Sequence, residues 1–167
     1  DLDEIISHYK QVHTDFFIKK HDPSQLLGEH NHTHFLPVGW VGIRVSSADP
    51  TYATYLMIHA ALISGCQVDV SLSEDYPLDL LWGLFSQTIK DQISLRIESE
   101  DHFIERLDQF DRLRLCSQAS VSSRLFEAAS KRGLYIECRP VLEDAKLELI
   151  RYFREQTISN RYHRYGN

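Results

Sequence analysis

Hydrophobic residues along the chain switch between strand-like runs and helical spacing, most clearly at residues 40–74. An apolar, β-rich run at 41–45 precedes Asp49 and a proline, a pair that favours a helix start with Asp49 as the capping carboxylate. Apolar residues then recur at helical spacing until Gly65, and a second β-rich run follows at 68–72. This pattern predicts a βαβ unit with a right-handed crossover.

The alternation of strand and helix patterns continues after this unit. Further strands are predicted at residues 93–97, 113–116 and 134–138, and helices at residues 77–89, 101–107 and 121–129. Strands and helices that alternate at this spacing are typical of an open sheet whose strands are mostly parallel. We therefore predict an α/β, Rossmann-like fold with a five-stranded sheet and helices on both faces.

Two segments outside this alternation also carry apolar patterns. Residues 2–20 predict an amphipathic N-terminal helix that ends before an Asp-Pro pair. Residues 147–157 fit both a helical and a strand period, and we predict an extended strand that pairs with residues 31–37 as a small β-flap. The predicted organisation is a linker helix from a preceding module at 1–25, the Rossmann-like domain with its flap at 26–160, and a tail at 161–167.

Composition narrows the classes of function. The 167 residues are 43% hydrophobic, which suffices for one globular domain with a substantial core. A net charge of −6 and a pI near 5.8 argue against a nucleic-acid partner, because phosphate binding requires concentrated positive charge. The sequence contains no apolar run long enough for a transmembrane segment.

The cysteines and the first residue bear on cellular context. Cys66, Cys116 and Cys138 are widely spaced, and each lies in or beside a predicted strand. We therefore expect reduced thiols and a cytoplasmic protein rather than a disulfide framework or a CxxC metal site. Because residue 1 is Asp rather than Met, we expect the chain to be part of a longer protein.

The predicted fold places a nucleotide crevice at the carboxyl ends of the strands, but the residues there do not match one. A dinucleotide site needs glycines where the backbone approaches the pyrophosphate. The loop at residues 46–49 contains no glycine, and Asp49 would repel an anion. A helix-capping role for Asp49 is favoured over cofactor binding, and dinucleotide binding by an atypical loop remains the alternative.

Other polar residues indicate no catalytic or metal site. His30, His32 and His34 alternate on a predicted strand, where positions two apart lie about 7 Å from each other, too far for all three to bind one ion. We interpret them as a solvent-facing stripe, and His59 as a helix-face histidine near a partner. Serine and cysteine residues lack a nucleophile setting such as GxSxG, so we predict no catalytic residue and no metal.

Two groups of motifs resemble a known family. Residues 60–65 (AALISG) and 68–74 (VDVSLSE) resemble the first βαβ unit of the aldehyde dehydrogenase superfamily, whose second strand ends in Lys-Pro-Ser-Glu. Residues 28–31 (GEHN), which lead into a strand, and residues 159–167 (SNRYHRYGN) resemble the C-terminal domain of the longer proline utilization A proteins. These are bifunctional enzymes that combine a flavin-dependent proline dehydrogenase with an NAD-dependent glutamate-semialdehyde dehydrogenase.

This resemblance runs from about residue 26 to the end and implies a structural role. In the family, the C-terminal domain packs on the aldehyde dehydrogenase module, and its terminal motif helps to close the tunnel through which the intermediate passes. In this chain the motif would comprise Arg161, Tyr162, His163, Arg164, Tyr165, Gly166 and Asn167. FAD and NAD would bind to other modules of the parent enzyme, and this domain would bind no cofactor. The parent enzyme would be cytoplasmic or associate peripherally with a membrane.

Departures from the superfamily pattern favour a domain that has lost its nucleotide. The lysine that holds the adenosine ribose in the superfamily falls on Ser71. The glycine-rich turn near the cofactor corresponds to residues 116–122, where both glycines are replaced.

Two alternative functions follow from the same residues. One is an NAD-binding domain with an atypical loop, which would use Ser46, Ser47 and Ser71. The other is an oligomerisation module, in which apolar surface at residues 2–17 and 147–157 would mediate self-association.

Overall fold

The computed structural model describes residues 1–161, which form a parallel sheet flanked by helices and a separate two-stranded ribbon. The strands are β1 (Glu29–Pro37), β2 (Trp40–Val45), β3 (Gln67–Leu72), β4 (Ile93–Ile97), β5 (Arg112–Arg114), β6 (Ile136–Glu137) and β7 (Phe153–Arg161). The α-helices are α1 (Leu2–Val12), α2 (Thr51–Ile63), α3 (Leu78–Trp82), α4 (Gln87–Lys90), α5 (Glu100–Glu105), α6 (Ser123–Lys131) and α7 (Ala145–Leu149). The sheet has the order β4-β3-β2-β5-β6, and all neighbours are parallel, which confirms the predicted Rossmann-like α/β fold.

Helices cover both faces of the sheet, because alternate residues of each strand point to opposite sides. On one face, Val41, Ile43 and Val45 of β2 join the larger core beneath α1, α2 and α7. On the other face, Leu113 and Leu115 join a smaller core beneath α5 and α6. The sheet therefore separates two apolar layers, as expected of a doubly wound α/β domain.

Helix α2 is buried on nearly all sides, and α1 supplies its outer cover. Residues 53–61 of α2 are all buried. Ile6 and Tyr9 of α1 are buried in the same core, and α1 contacts both α2 and α7. A π-helical turn, His13–Phe17, prolongs α1, so the helix predicted over residues 2–20 ends three residues early.

The antiparallel ribbon of β1 and β7 is the predicted flap, and it lies outside the main sheet. Its register pairs Glu29 with Arg161 at one end and Pro37 with Phe153 at the other. The ring of Phe153 stacks on that of Phe17 with their centroids 4.7 Å apart. Aromatic stacking thus attaches the base of the flap to the turn after α1.

The strand predicted at residues 147–157 is wrong in its first half, which is helical in α7 and a following 3₁₀ turn. Asp144 caps α7, because its carboxylate accepts a hydrogen bond from the backbone N–H of Leu147 at 2.9 Å. The helical turn also brings the Glu148 carboxylate within 2.8 Å of the Arg151 guanidinium. A cap and a buried ion pair therefore override the ambiguous apolar period.

Glu148 is the centre of a buried polar network. Its fully buried carboxylate accepts hydrogen bonds from Arg114 of β5 at 3.0 Å, from Arg151 at 2.8 Å and from the Tyr152 hydroxyl at 3.1 Å. Tyr9 of α1 donates to a backbone carbonyl of the adjoining loop. Because a buried charge is costly without partners, this network ties α1, β5 and α7 into one arrangement.

Other boundaries also differ from the prediction. The helix predicted at residues 77–89 is divided into α3 and α4, since the chain turns at Gly83 and the hydroxyl of Ser86 caps α4. Strands β5 and β6 are shorter than the segments predicted at 113–116 and 134–138. Within residues 1–161, no helix combines the length and apolar character needed to cross a membrane.

Candidate functional site

The candidate site is the crevice at the carboxyl ends of β2 and β5. The chain continues from β2 to β3 on one side and from β5 to β6 on the other, so the loops that follow these two strands diverge. Open α/β sheets bind their ligands at such a switch point. Residues 46–50 form the first loop of the crevice and residues 115–122 form the second.

A hydrogen bond joins the two loops across the crevice. The Ser120 hydroxyl donates to one carboxylate oxygen of Asp49 at 2.7 Å. The other oxygen accepts from the backbone N–H and the hydroxyl of Ser46, at 2.8 and 3.0 Å. We call this arrangement the Asp49–Ser120 clip, and it places a buried carboxylate where a cofactor phosphate would approach.

Asp49 is not the cap of α2, which corrects the prediction from sequence. Helix α2 begins at Thr51 with Pro50 at the N-cap, and no side chain caps its first turn. The carboxylate instead turns back to its own loop and across to Ser120, 71 positions further along the chain. The Asp49 carboxylate thus accepts a hydrogen bond from a distant hydroxyl rather than from the N–H groups of α2. The local sequence pattern does not reveal this distant partner.

Ser71 is bonded to a buried arginine from the neighbouring strand. Arg44 of β2 donates from Nη1 to the Ser71 hydroxyl at 2.8 Å and to the backbone carbonyl of Glu98 at 2.9 Å. Its guanidinium lies 5.7 Å from the ring centroid of Phe103. Both Arg44 and Ser71 are buried, so this hydroxyl already has a partner and is closed to solvent.

A second arginine fixes the segment that crosses this face of the sheet. Arg106 donates to the carboxylates of Asp69 on β3 at 3.1 Å and of Glu98 at 2.5 Å. Burial raises the pKa of Glu98, but hydrogen bonds from Arg106 and Ser71, together with the charges of Arg106 and Arg44, outweigh it and hold that pKa below its ordinary value. These ion pairs hold the end of α5 against β3.

Negative charge dominates this side of the crevice. Burial lowers the pKa of Arg44, and the surrounding carboxylates oppose that effect. Those carboxylates belong to Glu100, Glu98, Glu74 and Asp75. The Ser47 hydroxyl donates to Asp75 at 2.5 Å. Such a field disfavours a ligand that carries phosphate groups.

Two of the three serines of the alternative cofactor site lie at the crevice, and the third lies on the adjacent strand. Ser46 and Ser47 lie on the first loop, and Ser71 lies near the end of β3. Each hydroxyl donates to or accepts from a protein side chain: Asp49 for Ser46, Asp75 for Ser47 and Arg44 for Ser71. They therefore act as internal links in this structure.

The predicted tail motif is described only at its first residue. Arg161 is the last residue of β7, and its Nε lies 2.8 Å from a carboxylate oxygen of Glu29 on β1. The remaining residues of the motif, 162–167, lie outside the described part of the chain.

Arg44, Arg106 and Ser120 decide the character of the crevice, and the sequence reasoning did not single them out. For Arg44 a signal existed, because an arginine inside an apolar strand is rarely buried without specific partners. For Arg106 and Ser120 the partners lie on distant elements. Neither spacing nor composition predicts those pairs.

The predicted histidine stripe lies on β1 of the flap. His32 and His34 are half-buried, and the rings of His30 and His32 stack with their centroids 6.1 Å apart. Over residues 1–161, no group of three or more His, Cys, Asp or Glu side chains is arranged to hold a metal ion. His59 is buried, and its ring contacts those of Tyr55 in its own helix and Phe85 outside it.

Comparisons with known proteins bear on the fold. No protein-family model and no curated protein matches this chain. Among solved structures, an NAD+ complex of an aldehyde dehydrogenase from Bacillus cereus is 18% identical, with a TM-score of 0.59, over 88% of this chain and 38% of that chain. A double mutant of betaine aldehyde dehydrogenase from Staphylococcus aureus, in complex with NAD+, is 15% identical, with a TM-score of 0.67, over 84% of this chain and 30% of that chain.

A third solved structure, an Anabaena variabilis protein described as the aldehyde dehydrogenase PutA, is 15% identical. Its TM-score is 0.61, over 83% of this chain and 31% of that chain. The chain thus spans about a third of the length of the structures it matches. At these identities the similarity concerns the fold, and the fold of this chain is that of part of an aldehyde dehydrogenase.

Proposed function

We propose that this chain is the non-catalytic C-terminal domain of a bifunctional enzyme that converts proline to glutamate. It would pack on the aldehyde dehydrogenase module of the same parent chain and help to seal the tunnel that carries the intermediate. The similarity of its fold to aldehyde dehydrogenases supports such a parent. FAD and NAD would be bound by the catalytic modules, in the cytoplasm or at a membrane surface.

The observation that carries this proposal is the occupied crevice. The Asp49–Ser120 clip joins the two loops that would border a nucleotide, and Arg44 fills the position beside Ser71. Solved aldehyde dehydrogenases of similar fold bind NAD+. In this chain the crevice residues are used for internal hydrogen bonds. A structural role on a larger enzyme accounts for keeping the fold without its cofactor.

The role in channelling is tested by removing residues 161–167 from the parent enzyme. We expect slower conversion of proline to glutamate and a lag before NADH forms, because the intermediate escapes from an unsealed tunnel. Oxidation of added semialdehyde should stay normal in the same variant. Arg124→Ala, at an exposed position of α6, serves as the control and should show no lag. An unchanged time course after truncation would contradict the proposal.

The absence of cofactor binding is tested by thermal unfolding of the chain in the presence of NAD. A bound ligand at a hundred times its dissociation constant adds about 2.7 kcal/mol, which would raise Tm by several degrees in a domain of this size. We expect no shift. A saturable rise in Tm would favour the alternative of an NAD-binding domain.

That alternative rests on Ser46 and Ser47, which lie on the first loop of the crevice, and on Ser71 near the end of β3. Substitution of the half-buried Ser46 by Leu would then weaken NAD binding. Ser46 is the better position to test, because Ser71 is fully buried and a bulky side chain there would disturb folding itself.

Self-association through the flap is the other alternative. Leu36 and Ile158 are both 46% exposed, and their positions in the β1–β7 register place them on the same face of the ribbon. Light scattering would then show a dimer that Leu36→Glu and Ile158→Glu convert to a monomer. A monomeric wild-type chain would exclude this role at the concentration measured.

A further inference from the structure

A cavity of about 480 Å³ lies between α1, α2 and α4, at the end of α2 that points away from the crevice. This volume lies within the range of small-molecule sites. Its apolar wall comes from Ile6, Leu62, Ile63 and Ile89. Polar side chains from α1 and from the segment around α4 surround the opening.

His59 presents an unpartnered hydrogen-bond acceptor to this cavity. Its side chain lines the cavity and is only 7% exposed, and its Nδ1 lies 3.0 Å from the backbone carbonyl oxygen of Tyr55. Because a carbonyl oxygen can only accept, Nδ1 must carry the hydrogen. Burial lowers the pKa of His59, so the ring is neutral and Nε2 bears a lone pair. Within residues 1–161, no side chain or backbone group donates to that Nε2.

Two aromatic rings hold this imidazole in place. The ring centroid of Tyr55 lies 4.3 Å from that of His59, and Phe85 stacks on His59 at 5.5 Å with an interplanar angle of 14°. The orientation of Nε2 is therefore set before any ligand enters, which lowers the entropic cost of binding. A donor group of a ligand in the cavity would supply the hydrogen bond that Nε2 lacks within the described part of the protein.

The charges at the opening indicate a neutral ligand. Asp3 and Lys10 of α1 both line the cavity and carry opposite charges, so their electrostatic effects on an ion beside His59 largely cancel. The charge of Lys10 opposes a cation, the charge of Asp3 opposes an anion, and an anion would also meet the lone pair of Nε2. A molecule with an apolar body and one hydrogen-bond donor matches both the apolar wall of the cavity and the Nε2 atom of His59.

We propose that this cavity binds a small, uncharged, apolar molecule that carries one O–H or N–H group, of the size and chemistry of a phenol. The donor group bonds to Nε2 of His59, and the apolar body lies against the wall formed by α1, α2 and α4. This site is separate from the crevice and does not depend on the function proposed for the parent enzyme.

The test compares phenol with toluene, which has the same ring but no donor. The 167-residue chain, labelled with ¹⁵N in its histidines, is titrated with each compound and followed by NMR. We expect saturable phenol binding with a shift of the His59 Nε2 resonance, and roughly tenfold weaker binding of toluene, the effect of one hydrogen bond. Equal binding of the two compounds would overturn the proposal.

Two variants localise the effect. His59→Phe keeps an aromatic ring but removes Nε2, so the preference for phenol over toluene should vanish. His8→Phe, the same substitution at an exposed position of α1, should keep the preference. Retention of the preference in His59→Phe would place the donor contact elsewhere.

A further variant tests the cavity independently, in case His59→Phe does not fold. Ile63→Trp adds bulk to the half-buried wall of the cavity and leaves His59 unchanged. We expect it to abolish the binding of both compounds. Binding that persists in Ile63→Trp would exclude this cavity as the site.

Discussion

Individual buried charges organise this molecule more than its apolar pattern suggests. Glu148 is stable inside the protein because two guanidinium groups and a hydroxyl surround it. On the opposite face of the sheet, Arg44 donates to a hydroxyl and a carbonyl, and the half-buried Arg106 donates to two carboxylates. Each of these groups resembles a catalytic residue in its charge and low exposure, yet each bonds to other parts of the protein.

Loss of the Glu148 charge tests this view at a single residue. Glu148→Gln leaves Arg114 and Arg151 buried without their counter-ion, so we expect the free energy of unfolding to fall by about 3–5 kcal/mol. Urea unfolding measures the change. Lys131→Ala breaks an exposed ion pair on α6 and should leave stability nearly unchanged. Comparable effects of the two substitutions would contradict the assigned role of the network.

Glu137 makes the stability of the protein sensitive to acid. Burial raises the pKa of Glu137, but the hydrogen bonds and the charge of Arg139 outweigh it and lower that pKa to about 2, from an ordinary value of 4.5. The unfolded chain therefore takes up this proton at a higher pH than the folded chain. The free energy of unfolding should fall as the pH drops from about 4.5 to about 2.

The control for this acid effect is Glu137→Gln, which removes the titrating group. Urea unfolding at several pH values should show a smaller slope for the variant across that window. An equal slope in both proteins would mean that other carboxylates account for the acid sensitivity.

At the scale of elements, long-range polar contacts decide what the apolar pattern leaves open. The pattern predicts the five strands, most clearly β2 and β3, which lie on either side of an α2 helix bounded by Pro50 and Gly65. It fails at α7, where Glu148 needs a helical turn to meet Arg151, and at the 77–89 helix, which Gly83 and Ser86 divide.

The crevice was predictable in part from sequence. The absence of glycine at residues 46–49 already argued against a nucleotide. The Asp49–Ser120 clip joins positions 71 apart in the chain, and Arg44 reaches Ser71 from a neighbouring strand. Such pairs depend on register between distant segments, which periodicity alone does not determine.

The junction between α1 and the flap offers a matched test on adjacent residues. Phe17 is 2% exposed and stacks on Phe153, whereas Ile18 is 63% exposed. Phe17→Ala should lower the free energy of unfolding by about 3–5 kcal/mol, because it leaves a cavity between the two elements. Ile18→Ala should leave it nearly unchanged. Urea unfolding of both variants measures the difference, and a small effect of Phe17→Ala would mean that the junction is not part of the cooperative core.

The whole molecule divides into a central sheet protected on both faces and a flap that is open to solvent. All but two residues of β2 and β3 are buried, whereas in β7 every residue after Phe153 is exposed. Regions with few buried contacts open at a lower free-energy cost than the core. The flap is therefore the part best able to rearrange when a neighbouring module or a second chain is present.

Hydrogen exchange tests this division. Amides of β7 should exchange at least about tenfold faster than those of β2 and β3 at neutral pH. Mass spectrometry of peptides that cover the two regions gives the comparison. Uniform protection would show instead that the flap and the sheet open together.

Arg44 has a consequence for how reversible the proposed loss of the cofactor is in evolution. A lysine introduced at position 71 would meet the buried guanidinium of Arg44, and the like charges would repel each other. Removing Arg44 first would leave the Glu98 carbonyl and the Ser71 hydroxyl without their donor. Each single step back is therefore selected against by stability alone. Under the proposed function, the loss of cofactor binding is therefore difficult to reverse by single substitutions, and the domain keeps its structural role.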